Sequence, residues 1–172
     1  MEGKLGRLLM ADRGQAQVTP RARTNQLLYQ VELLLATPVR DDEHQDAHRR
    51  ACEEGALALF GLALDALLRD VSEHAHLVEH DWHTMLVGDR YPDIAEVRRL
   101  RELANDRDSW LGRLISYLDA LESDGGASQG TSVGPPGVIA VGGRRDLRQD
   151  LRDCLTMAKA EIATLRQTSE EW

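Results

Sequence analysis

Apolar residues recur every three or four positions through most of this chain, and that spacing predicts four amphipathic helices. The first, over about 22–36, aligns Leu27, Leu28, Val31, Leu34 and Leu35. Thr24 or Asn25 is available to cap an inner start, and Thr37-Pro38 stops it. The second, over about 43–80, follows Asp41-Asp42-Glu43, acids suited to the positive end of a helix dipole. Its middle, Ala56 to Leu68, is apolar nearly all round, the pattern of a helix with neighbours on several sides. The third, over about 93–122, carries Ile94, Val97, Leu100, Ala104, Leu111, Leu114, Leu118 and Leu121. Polar Asn105–Ser109 interrupts this stripe, so one kinked helix is expected, with Asp108 or Ser109 able to cap a separate one. The fourth, over about 145–169, repeats Leu147, Leu151, Leu155, Ala158, Ile162 and Leu165 for five turns.

Four such helices predict an all-α fold, an antiparallel up-down four-helix bundle. In that topology the second and fourth helices run parallel on one diagonal. Cys52 and Cys154 then sit at a similar level as small core hydrophobes. The domain is expected to span 21–172. Residues 1–20 read as a frayed or mis-started leader, with Met10 and Val18 as alternative starts. Residues 124–143 are a Gly/Pro/Ser-rich loop whose apolar Val138-Ile139-Ala140-Val141 is expected to tuck against the bundle.

Composition narrows the class. The 172 residues are 42% hydrophobic but only 4% aromatic, which disfavours a sandwich or large sheet. A net charge of −8 argues against nucleic acid and anionic membranes as partners. The two cysteines form no CxxC pair, which excludes a zinc ribbon. No apolar run reaches the ~18 residues of a membrane span, and the N-terminus lacks a signal-peptide core, so a cytoplasmic location is expected.

The segment Arg23-Thr-Asn-Gln-Leu-Leu-Tyr-Gln-Val-Glu-Leu-Leu-Leu35 resembles the opening of a small all-helical gammaproteobacterial family of unknown function. Leu165-Arg-Gln-Thr-Ser-Glu-Glu-Trp172 resembles its ending. The resemblance covers about 19–172 and implies a helical fold without implying an activity or a site.

Chemistry concentrates in the stretch from Arg69 to His83. Four of the six histidines lie in HAHLVEHDWH. On a helix His76, His80 and His83 share one face, and an i, i+4 imidazole pair can chelate a transition metal such as zinc, with Glu79, Asp81 or Glu73 as a further donor. His76-Leu-Val-Glu-His80 also matches the H-x-x-E-H signature of inverted zinc peptidases. The single Glu73-x-x-His76 is too few for a di-iron bundle, which needs two such motifs. Arg69-Asp-Val-Ser-Glu-His74 matches the R-x(4–6)-H pattern of HEPN-type ribonucleases. That resemblance implies Arg69 and His74 acting on RNA phosphate, with Asp70 in the polar position after the arginine. The bland alternative is a solvated helix end, where histidine suits the dipole.

Arg98-Arg99 with Arg101, and Arg144-Arg145 with Arg148 and Arg152, alternate with acids and read as ion-paired faces. The tryptophans read as packing residues. The resulting expectation is a cofactor-free, non-enzymatic bundle working by protein–protein contact, with an unknown partner or itself as a homodimer. The ribonuclease and metal-binding readings stand as alternatives.

Overall fold

The computed structural model describes residues 18–89, 91–127 and 146–170. The chain is all-helical, with no strand among the described residues. Five α-helices form in order: α1 (Pro20–Ala36), α2 (Gln45–Val71), α3 (Ala95–Asn105), α4 (Trp110–Leu121) and α5 (Leu147–Glu170). A 3-10 turn (Glu73–Ala75) and a π-helical turn (His83–Val87) lie between α2 and α3. The expected leader (apart from residues 18–20), the 128–143 part of the expected loop with its Val138–Val141 run, Arg144, Arg145 and Trp172 lie outside the described residues.

Local chemistry sets each boundary. Thr19 caps α1, its hydroxyl accepting from Ala22 N–H at 3.2 Å, and Pro20 takes the first-turn position where no N–H is needed. The helix therefore starts two residues before the expected point. Thr24 caps nothing: it is buried, and its hydroxyl bonds back to Pro20 O.

One expected helix ends early. The helix expected over 43–80 stops at Val71. There the buried Ser72 hydroxyl takes Leu68 O at 2.5 Å, and a side chain competing for a helix carbonyl weakens the next turn. After the 3-10 turn, His76 adopts a left-handed conformation (φ +50°), which no continuing right-handed helix accommodates.

The kinked helix expected over 93–122 is two helices. The Ser109 hydroxyl accepts from Gly112 N–H at 2.9 Å while its own N–H bonds Asp106 O, so a new helix starts at Trp110. In place of the four expected helices, five α-helices form among the described residues.

Long-range pairs give the directions. From Asn25–Arg166 through Glu32–Lys159 to Leu35 O–Arg152 and Thr37 O–Arg148, α1 and α5 run antiparallel. Gly55 of α2 lies beside Leu34 of α1, and Arg166 bridges Asn25 and Asp70, so α1 and α2 are antiparallel and α2 runs the same way as α5. Tyr117–Asp150 and Trp110 O–Cys154 set α4 antiparallel to α5. Gly61 lets Leu118 approach α2, a Cβ there meeting its Cδ2 at 3.2 Å. A continuous core of leucines, Phe60, Trp82 and Trp110 fills the space between. Cys52 and Cys154 are both buried and unpaired, each in the third turn of its helix. Burial pushes the Cys154 thiol up to about 11, so it packs as an inert hydrophobe.

Candidate functional site

The segment between α2 and α3 holds most of the residues singled out in the sequence. Because α2 ends at Val71, His76, His80 and His83 do not share a helix face. His74 lies in the 3-10 turn, His76 in the left-handed corner and His83 in the π turn. Glu79 is exposed, and Val78 beside it is 96% exposed. The H-x-x-E-H geometry, which requires both histidines on one helix, is therefore not formed. Among the described residues no three His, Cys, Asp or Glu side chains are arranged to hold a metal ion.

Arg69 and His74 are also not brought together by any hydrogen bond or ion pair. Arg69 is exposed near the end of α2, where its charge is felt by Asp65 and His80. Burial lowers the His80 pKa, and Arg69 lowers it further. Asp70 is committed elsewhere: its Oδ2 takes both Nε and Nη2 of Arg166, at 2.9 and 2.7 Å.

What the fold does assemble is a joint around His83. Its Nδ1 lies 3.3 Å from Asp81 and its Nε2 3.4 Å from Glu122 at the end of α4, and its ring stacks on Trp82. Trp82 N–H donates to Asp65 of α2 at 2.9 Å. Burial raises the Asp65 carboxyl. The Trp82 bond opposes this, the Asp81 charge adds to it, and the net shift is upward. Burial also pushes Asp81 up, but bonds from Thr84 N–H, Thr84 Oγ1 and His83 outweigh it, and Asp81 lies below the usual range.

A raised acid contributes stability at low pH that is lost as pH rises through its folded value. Asp65→Asn keeps an acceptor for Trp82 N–H and removes the charge. We expect it to raise the thermal midpoint at pH 7 and to lose that advantage by about pH 3, below the ordinary carboxylate range. Thermal melts of both proteins across this range measure the difference. A variant less stable than the parent at pH 7 would contradict the assignment.

A cleft of about 450 Å³ lies elsewhere, between α3 and α5. Leu103 and Trp110 give it an apolar floor, exposed Met157 and Ala160 stand at its edge, and Ser109 and Thr164 add hydroxyls. On its wall Arg99 Nε pairs with Glu161 at 2.9 Å. Trp110 is 2% exposed and stacks on Phe60, and its Nε1–H has no acceptor. A second cleft of about 300 Å³ runs beside Leu77, Met85, Tyr91 and Pro92. Arg101, expected on an exposed ion-paired face, instead packs over the Tyr91 ring and donates to Met85 O and Gly88 O.

Sequence reasoning did not single out the α3–α5 cleft. Its one legible signal is Met157, which stands off the buried stripe of α5 and is 46% exposed. Among the described residues no helix is long and apolar enough to cross a membrane. Comparison with known proteins places residues 18–172 in a match to the Family of unknown function (DUF6586). No curated protein and no solved structure matches the chain.

Proposed function

Because the chain belongs to this family of unknown function, which lends it no activity, we propose that it works by binding another protein in the cytoplasm. On this reading α1, α2, α4 and α5 are an up-down four-helix bundle that holds α3 against α5 and so shapes the contact surface. The observation that carries it is the open apolar cleft between α3 and α5, with exposed Met157 at its edge. Apolar surface with a polar rim is the usual anatomy of a contact site, and methionine adapts to varied partners. In the Arg69–His83 region Asp70 is held by Arg166, and Asp81 by Thr84 and His83, which supports binding over catalysis there.

Ala160 is exposed on the cleft wall, so Ala160→Trp fills the cleft without disturbing the core. A photocrosslinking side chain in place of Met157 should give a discrete adduct in cells, and Ala160→Trp should abolish it. Mass spectrometry then distinguishes a second copy from a different protein. Absence of any adduct, or adducts unchanged by Ala160→Trp, would overturn the reading.

A further inference from the structure

Two methionines lie among the described residues, and they differ in access: Met85 is 2% exposed and Met157 46%. Met157 lines the α3–α5 cleft. Its sulfur also has a charged neighbour. Nη2 of Arg113 stands 3.7 Å from Met157 Sδ, and Nε of the same half-buried guanidinium reaches Ser109 O at 3.4 Å. The carbonyl contact is long, and a thioether is a weak acceptor. An oxygen carried on that sulfur is a far better partner for an arginine.

We propose that Met157 is a modification site: a peroxide converts it to the sulfoxide, Arg113 takes the new oxygen, and the cleft loses affinity for its partner. The last of these steps rests on reading the cleft as a partner site, whereas the oxidation does not.

In the reaction a lone pair of Sδ attacks one peroxide oxygen. The S–O bond forms as the O–O bond breaks, so sulfur gives up two electrons and the peroxide is reduced. With hydrogen peroxide, the departing hydroxide takes the proton of the transferred oxygen and leaves as water. Negative charge builds on the transferred oxygen during this step. Arg113 stands on one side of the sulfur, so its donors favour addition on that side. The product replaces a weak N–H···S contact by a charge-assisted N–H···O bond between α4 and α5. It also turns a flexible apolar side chain at the cleft edge into a polar, chiral one, which opposes an apolar partner surface.

The native full chain is treated with limiting hydrogen peroxide, and oxygen uptake at each methionine is measured by mass spectrometry of its peptides. Met157 should oxidise at least about tenfold faster than Met85, because access governs the rate. The epimer formed is read from repair by the two epimer-specific sulfoxide reductases. One epimer of the Met157 sulfoxide should prevail by roughly threefold or more. Arg113→Gln should bring the two close to parity, and Arg113→Lys should lie between. A photocrosslinking side chain in place of Thr164, which also lines the cleft, leaves Met157 intact and reports on the partner in cells. Peroxide should reduce its adduct roughly fivefold or more. In the Met157→Leu background, which has no sulfur there, the adduct should survive the same treatment.

Equal oxidation of the two methionines, or an epimer ratio that Arg113→Gln leaves unchanged, overturns the modification site. A sulfoxide that forms as expected while the adduct persists overturns its control of the cleft. If neither Thr164 nor Met157 yields an adduct in the untreated protein, the partner site falls and that control falls with it. The peroxide chemistry at Met157 then stands on the first two measurements alone.

Discussion

Asp70→Ala is expected to destabilise the protein by about 3 kcal/mol, lowering its thermal midpoint by roughly 6–12 °C. The Asp70 and Arg166 side chains are only 10% and 14% exposed, and Nε and Nη2 of Arg166 converge on one Asp70 oxygen. Arg166 Nη1 continues to Asn25, so one guanidinium ties the start of α1 to the ends of α2 and α5. Removing the acid leaves a nearly buried cation without compensation, which costs far more than the pair itself contributes. The same argument predicts a rescue. Asp70→Leu combined with Arg166→Met removes both charges and fills the volume, and should recover at least half of the loss. Denaturant unfolding of the three proteins tests this. An unchanged midpoint for Asp70→Ala would show that the pair is solvated and of little weight.

A second large loss is expected at Gly112, on the first turn of α4. A Cβ built there meets Asp106 O at 2.1 Å, Asp106 C at 2.8 Å and Arg107 Cα at 3.2 Å. All three atoms are backbone, so no rotamer change relieves the clash. Alanine gains about 1 kcal/mol of helix propensity over glycine. Opening the α3–α4 corner costs about 3 kcal/mol or slightly more and pulls Gly112 N–H from the Ser109 cap. The clash wins, and Gly112→Ala should lower stability by roughly 2 kcal/mol. Gly55→Ala is the control. A Cβ at that position meets only Leu34 Cδ1, at an ordinary 3.4 Å, so the propensity gain of about 0.5–1 kcal/mol should stand. Matching losses at both glycines would show that the corner is not the cause.

The two changes probe features of different legibility. Asp70 drew notice in the sequence as part of an Arg-x(4)-His pattern, yet its partner lies on another helix and no spacing rule points to it. Gly112 reads as a mild helix breaker in an apolar stripe. The carbonyl beneath it is set by a turn that Ser109 closes, and Ser109 is visible in the sequence only as one available cap. The histidines show the same limit. Their i, i+4, i+7 spacing has meaning only if the helix continues, and the buried Ser72 hydroxyl together with left-handed His76 ends it.

Periodicity alone determined that the chain is helical, where its core stripes run and which thiols are buried, because burying an apolar face repeats with the turn of the helix. Leu27, Leu64, Leu111, Leu151 and Cys154 are all in the core as their spacing requires. Only the tertiary structure decided where α2 stops, that α3 and α4 are separate, and that Arg113 of α4 reaches Met157 of α5. Those outcomes depend on single hydrogen bonds and on groups far apart in the chain. A backbone carbonyl accepts from a serine or an arginine according to what the fold brings near it, and local pattern carries no record of that choice.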